Sequence, residues 1–285
     1  MNKILITGAS GFLGTHYSRW ADKNNTSLIK GTTSKIEKGY TQFHKNYENI
    51  LSVLKDENIS AVIHFASAVP QNYQTASFKE TFLPNMQMMD NLVNFAIEKK
   101  VRKFIYISGF GSIERSSHPL ITDFYTMSKV CGDYFISILN SIEMESVALK
   151  LSAPYGEFLK KKNVINTFIN NALRNQDLSV FGTGMREQNF IYAEDVCRAV
   201  DLSLKNNISG VYEIVSPRNI NMIDLANLVI KLTESSSKIE FSRKIDPQES
   251  FRPSYDHLKA ETDFGFKTKF SIEDGLEKYI AWLKK

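Results

Sequence analysis

Lys3-Ile4-Leu5-Ile6-Thr7 runs straight into Gly8-Ala9-Ser10-Gly11-Phe12-Leu13-Gly14, and this junction decides the fold. A short apolar run closed by glycine reads as a buried strand, and the spacing that follows reads as a helix over roughly 12–24. Gly8 permits the tight turn between them. Gly11 has no Cβ to hold the backbone away from a ligand, and Gly14 lets the helix pack close to the strand. The helix start offers unpaired N–H groups and a partial positive charge. The loop therefore predicts a dinucleotide pyrophosphate site, with Gly8, Ser10, Gly11, Phe12, Leu13 and Gly14 as its contacts. The spacing is GxxGxxG, not the commoner GxGxxG.

Outward from the loop, short β-branched runs alternate with longer segments of helical period. Strands are expected at Ser27–Lys30, Ala61–Phe65, Lys103–Ser108 and Ser146–Leu151. Helices are expected near 48–57, 80–99 and 124–141. This alternation predicts an α/β fold, a Rossmann-like doubly wound parallel sheet covered by helices. In the helix near 124–141, Phe124, Met127, Val130, Tyr134, Ile138 and Ile142 recur at helical spacing and are expected to face the sheet. Beyond about residue 155 the pattern is less regular, with helices near 163–175, 193–204 and 222–233, a strand and glycine turn at 178–184, and a last helix after Ser271. Residues 1–155 are accordingly assigned to a dinucleotide-binding domain. Residues 156–285 form a smaller α/β substrate-binding region, interleaved with the first.

A length of 285 residues fits one large α/β domain or two smaller units. Apolar and charged fractions of 42% and 23% exclude a disordered or fibrous chain. With 35 Lys+Arg against 31 Asp+Glu, the net charge of +4 does not point to nucleic acid or a membrane surface. Cys131 and Cys197 do not make a disulfide scaffold and fit a cytoplasmic location. The apolar run Ile4–Ile6 is too short for a signal-peptide core. The longest uncharged stretch, Asn58 to Phe78, is broken by His64, Pro70, Gln71 and Asn72, so no membrane span is expected. No His/Cys/Asp cluster has metal-ligand spacing, and no metal is expected.

Gly8 to Gly14, His64-Phe65-Ala66-Ser67 and Tyr125-Thr126-Met127-Ser128-Lys129 together resemble the extended short-chain dehydrogenases/reductases of the nucleotide-sugar epimerase, dehydratase and ketoreductase type. The resemblance covers almost the whole chain. Phe104–Ser108 resembles the family's fifth strand, and Phe190–Val196 the motif after its substrate loop. Asp256–Lys259 with Phe264-Gly265-Phe266 resembles its C-terminal signature. The resemblance implies a nicotinamide cofactor, a nucleotide-sugar substrate and a homodimer packed through the helices near 80–99 and 124–141. It also assigns Phe65, Ala66, Ser67, Asn85, Tyr125 and Lys129 to the cofactor, Lys129 through the nicotinamide ribose, and gives Asn85 the further task of supporting the active site. His64, alone in an apolar strand, is expected to be a core residue.

Tyr125 and Lys129 carry a physical case of their own. Four residues apart on a helix, they share one face. An ammonium beside a phenol stabilises its anion, so the pair can exchange a proton with a sugar hydroxyl or ketone as hydride moves to or from nicotinamide. Tyr255 and Lys259 have the same spacing but lie far from any nucleotide-binding strand, and are expected to be surface structure. The resemblance places a Ser or Thr hydroxyl after the fifth strand, where this chain has Gly109; Ser108 or Ser112 is the expected substitute.

The turn after the second strand, Thr33-Ser34-Lys35, lacks the acid that NAD-preferring relatives use on the adenosine ribose. Hydroxyls and a lysine favour NADP(H), with NAD(H) possible. The Asp-Glu pair of dehydratases is absent after Ser108, and Cys131 does not match the base of 3,5-epimerising relatives. A 4-ketoreductase is favoured, then a 4-epimerase retaining NAD, then a non-catalytic dinucleotide sensor or scaffold, suggested by Gly109. Arg186 and Arg252 are expected on the diphosphate. Ser152, Val164 and Phe181 complete the expected substrate contacts.

Overall fold

The structure is a computed structural model of the chain, described at residues 3–34, 38–110, 113–114, 120–121, 123–242, 244–246 and 248–285. Its strands are β1 (Lys3–Thr7), β2 (Leu28–Thr32), β3 (Thr41–Gln42), β4 (Ile59–His64), β5 (Lys103–Gly109), β6 (Ile113–Glu114), β7 (Leu120–Ile121), β8 (Glu145–Leu151), β9 (Ala153–Tyr155), β10 (Leu178–Val180), β11 (Glu187–Tyr192), β12 (Gly210–Ile214), β13 (Asn219–Asn221) and β14 (Ile239–Phe241). Its α-helices are α1 (Phe12–Lys23), α2 (Ile50–Val53), α3 (Leu83–Glu98), α4 (Phe124–Ser141), α5 (Val164–Ala172), α6 (Ala193–Lys205), α7 (Met222–Thr233), α8 (Leu258–Phe264) and α9 (Ile272–Leu283).

Seven strands form one parallel sheet in the order β12, β8, β5, β4, β1, β2, β3. The chain winds outward from β1 to β3, then returns to the other side of β1 at β4. That reversal opens a crevice at the carboxyl ends of β1 and β4, where such sheets bind ligands. Alternate strand residues feed two layers. Ile6, Ile63, Ile105 and Leu149 pack with Tyr17 of α1 and Val196 and Val200 of α6. Leu5, Val62 and Phe104 pack with Leu92 and Phe95 of α3 and Ile136 and Leu139 of α4. A third cluster, with Ile165, Ile169, Leu225, Val229 and Leu276, holds α5, α7 and α9 together.

The division near residue 155 is crossed in space. α6 lies in the first core layer and β12 pairs with β8 at the sheet edge. Residues 193–214 thus return to the seven-stranded sheet after the chain has left it. Among the described residues, no helix is long and apolar enough to cross a membrane.

Two expectations change. The helix near 48–57 is reduced to α2, preceded by a 3-10 turn in which Asn46 and Tyr47 have positive φ. This path brings the Tyr47 hydroxyl to the backbone N–H of Gly8 at 2.9 Å. The second change concerns α4. Phe124, Met127, Tyr134, Ile138 and Ile142 are exposed, not turned to the sheet. The buried face is Thr126, Ser128, Lys129, Gly132, Ile136 and Leu139. Tyr106 rises from the sheet beneath α4, and a Cβ at residue 132 would lie 2.4 Å from its ring. Only glycine fits at residue 132, so this face of α4 lies against the sheet and the stripe from Phe124 to Ile142 faces outward.

Candidate active site

A cavity of about 2160 Å³ runs along the carboxyl edge of the sheet. Gly8, Ser10, Gly11, Phe12, Leu13 and Gly14 line it, as do Thr33, Ser34, Phe65, Ala66, Ser67, Ser108, Tyr125 and Lys129. Ser152, Val164 and Arg186 lie on the same wall system. Lys35 and Ser112 fall outside the described residues.

The glycine loop between β1 and α1 could hold an anion. Gly8 has φ of +64° and its carbonyl accepts the Gly11 N–H at 2.9 Å. α1 has no side-chain cap and no acidic residue in its first turn. By contrast α4, α5, α7 and α9 are capped by Asp123, Asn163, Asn221 and Ser271. The uncapped start of α1 leaves its first N–H groups to a ligand, which fits a pyrophosphate. At the end of β2, the Thr32 hydroxyl bonds that of Ser10 at 2.8 Å and accepts the Ser34 N–H at 3.1 Å. Lys30 there is paired with Asp22 at 2.9 Å. Thr33 and Ser34 are exposed to the cavity, and no carboxylate stands at residues 32–34.

Tyr125 and Lys129 are held by α4. Asp123 caps the helix through the Thr126 N–H at 2.8 Å, which fixes the first turn and with it Tyr125. Lys129 is buried, donates to the Ile107 carbonyl at 3.0 Å, and lies 4.9 Å and 5.6 Å from the ring centres of Tyr106 and Tyr125. Burial pulls its ammonium down to about 8, opposed by the Asp133 carboxylate. Burial pushes the Tyr125 phenol well above its ordinary value, helped by Tyr73 and opposed by the Ser67 hydroxyl. At neutral pH the phenol is therefore a proton donor with a cation close by. His64 is buried, bonds Thr7 through Nδ1 at 2.7 Å, and is pushed down to about 3 by burial and by Lys129, so it stays neutral.

Alternate residues of β5 share a face, so Ser108 points to the α4 side with Phe104 and Tyr106. Its hydroxyl is buried with no hydrogen-bond partner among the described residues, and the same holds for Ser152. A Cβ at Gly109 would meet only the Leu151 carbonyl, at 3.9 Å, so the backbone does not demand glycine there. Asn85 does not line the cavity. It accepts the Ala68 N–H at 2.7 Å and donates to the Ser128 hydroxyl at 3.0 Å, tying the loop after β4 to α4.

In the substrate half the expected set divides. Arg186 reaches the cavity while paired with Asp246 at 3.0 Å and Gln248 at 3.1 Å. Arg252 and Phe181 are not on the cavity wall. The Arg252 guanidinium turns back to the carbonyls of Glu249 and Phe251, at 3.0 and 2.9 Å. Phe181 is exposed under the Lys244 ammonium. Tyr255 is the reverse case: it lines the cavity, 4.7 Å from the Phe110 ring centre, and is not mere surface structure. It precedes α8 and so shares no helix face with Lys259, whose ammonium bonds the Val211 carbonyl at 3.1 Å.

Several wall residues carry no sequence motif. Tyr73 packs against Tyr125 with ring centres 5.2 Å apart and planes tilted by 40°, and Lys161 covers Tyr73 at 4.2 Å while donating to the Pro70 carbonyl. Lys150 reaches the wall from β8. The only signal for them is topological: residues at or just past the carboxyl ends of β4 and β8 must face the crevice.

The sequence profile of the NAD dependent epimerase/dehydratase family matches residues 4–216. The dTDP-D-glucose 4,6-dehydratase of Bos taurus is 28% identical over 99% of this chain and 88% of its own length. The fold is that of UDP-glucose 4-epimerase from Thermotoga maritima, crystallised with UDP-glucose, at a TM-score of 0.86 and 18% identity over 99% and 98% of the two chains. The UDP-glucose 4-epimerase of Thermus thermophilus, in complex with NAD, superposes at a TM-score of 0.84, with 18% identity over 99% of each chain. With the profile spanning the loop, the sheet and the Tyr125/Lys129 helix, the chain belongs to the NAD dependent epimerase/dehydratase family.

Proposed function

We propose that this enzyme reduces the C4 carbonyl of a nucleotide-bound 4-keto-sugar, with NADPH as the hydride source. The observation that carries the reading is the chemistry around Tyr125: a protonated phenol, a buried ammonium one helical turn away, and Gly109 and Phe110 where a dehydration site would need carboxylates. Reduction needs one proton donor and one hydride, and nothing more. A nicotinamide held along the Gly8–Gly14 loop would supply the hydride. Tyr125 gives its proton to the C4 oxygen, Lys129 stabilises the phenolate left behind, and the Ser108 hydroxyl donates to the same oxygen. Arg186 pairs with the diphosphate by exchanging its bond to Asp246. The experiment is NADPH oxidation with a panel of nucleotide-bound 4-keto-6-deoxyhexoses, and it fails if none is turned over.

A second reading, a 4-epimerase that retains NAD, is favoured by the cofactor in the family's description and in the Thermus relative. The cofactor separates the two. Under the reductase reading the purified protein releases no dinucleotide on denaturation. It also prefers NADPH over NADH by at least about 10-fold, the effect of one charge-assisted bond from Thr33, Ser34 or Lys35 to the 2′-phosphate. Stoichiometric NAD in the denatured supernatant would select the epimerase.

The outward stripe of α4 supports a homodimer. Phe124 meets Phe78 at 5.9 Å, and with Met127, Tyr134, Ile138 and Ile142 it makes one contiguous exposed apolar face. Two such faces pair about a two-fold axis. Ile138→Glu is expected to convert a dimer to a monomer in light scattering; a wild-type monomer at micromolar concentration would remove the proposal.

A further inference from the structure

Behind Lys129 stands a second ionic device that the proton transfer itself does not use. Asp133 lies one turn after Lys129 on α4, and its carboxylate meets the Lys150 ammonium of β8 at 3.0 Å. Both side chains are largely buried, 12% and 16% exposed. The other oxygen of Asp133 is buried with no hydrogen-bond partner among the described residues. Lys150 is the direct register partner of Ser108, so both side chains leave the sheet on the α4 side. Lys150 also lines the cavity, 5.5 Å from the Phe110 ring centre. Two ammonium groups and one carboxylate are thus enclosed between α4 and the sheet at the reacting end.

We propose that Asp133 is a positioning residue that keeps Lys129 protonated, and that Lys150 anchors the Asp133 carboxylate in place to do so. Lys129 is surrounded by groups that give its charge little help. His64 on β4 is neutral, Tyr106 on β5 offers a ring face, Tyr125 on α4 itself is a neutral phenol, and the Ile107 carbonyl takes a single bond. A buried ammonium with one hydrogen bond among the described residues is costly to keep charged. Asp133 is the anion that opposes that cost, and a carboxylate left alone at this depth would itself be costly, so it needs Lys150.

The test reads Lys129 directly by competitive acylation with acetic anhydride over a pH series, followed by mass spectrometry of its peptide. Asp133→Asn should lower the Lys129 midpoint by about one pH unit, and Asp133→Glu should restore it. If the single variant is unstable because Lys150 has lost its partner, Asp133→Asn/Lys150→Gln removes both charges, and its midpoint must still fall. Lys150→Gln alone should lower it as well, because the unanchored carboxylate takes up a proton or turns away. A midpoint unchanged in Asp133→Asn overturns the proposal. So does a midpoint unchanged in Lys150→Gln, which would mean that the carboxylate needs no anchor. The consequence for turnover rests on the function proposed above: the alkaline limb of kcat should move with the midpoint. A midpoint that moves while kcat does not would reject the role of Lys129 in turnover and leave the ionic assignment standing.

Discussion

Tyr125→Phe should lower kcat by about 10²–10⁴-fold, the usual contribution of a positioned proton donor. The loss should fall on kcat and spare cofactor binding, because the ring that packs against Tyr73 is retained and Lys129 keeps its bond to Ile107. The pH dependence carries a sign. Reduction needs Tyr125 protonated and Lys129 charged. The phenol is held above its ordinary value, so Lys129, at about 8, titrates first. Turnover by the unaltered enzyme should therefore be full below that pH and decline as pH rises through it. Steady-state kinetics with NADPH and a 4-keto substrate measures both, and nucleotide quenching of tryptophan fluorescence measures the cofactor. Turnover untouched by the substitution would remove Tyr125 from its assigned role.

The loop, the parallel sheet and the Tyr125/Lys129 pair are legible in the sequence because each depends on local spacing. A strand closed by glycine and followed by a helix can hardly do anything but turn, and two residues four apart on a helix must share a face. What local spacing does not reveal is the direction in which a face points. Helical spacing identifies the stripe from Phe124 to Ile142 as one face of α4, but periodicity cannot say whether the sheet or solvent receives it. Tyr106, nearly twenty residues before α4, decides the matter, because its ring fills the space under Gly132. The same limit applies to Arg252. A guanidinium is a good diphosphate ligand in principle, and only the path of the 248–253 loop shows that it serves its own backbone carbonyls instead. Tyr255 errs in the opposite direction, because distance along the chain is not distance from the site. A segment that follows β12 returns to the cavity as surely as one that follows β1. Asp133 and Lys150 are each unremarkable as surface-type residues; it is the β5–β8 register that sets Lys150 beside Ser108 and under α4.

Glycine in this fold is needed to different degrees, and that yields the second large effect. A Cβ on Gly14 would sit 2.1 Å from the Gly8 carbonyl oxygen and 2.8 Å from the Ala9 Cα. Both obstacles are backbone, so no side chain can move aside. For Gly14→Ala, either α1 must retreat from β1 or the phosphate turn must open. Either change misplaces the uncapped N–H groups. Overpacking of this kind costs about 1–3 kcal/mol in well-packed cores, and more where only backbone can yield. A Cβ on Gly11 would meet the same oxygen at 3.1 Å, tight but tolerable for the fold, while standing where a pyrophosphate must approach. A Cβ on Gly109 would meet one carbonyl at 3.9 Å, an ordinary contact. The three substitutions should therefore separate stability from binding. Gly14→Ala should lose the most in Tm and should weaken NADPH by at least about 100-fold, the loss of two or more charge-assisted bonds. Gly11→Ala should keep most of its Tm and lose binding. Gly109→Ser should keep both, and would place a hydroxyl where the resemblance expects one. If Gly14→Ala melted with the wild type and bound NADPH equally well, the close approach of α1 to the glycine turn could not be what builds this site.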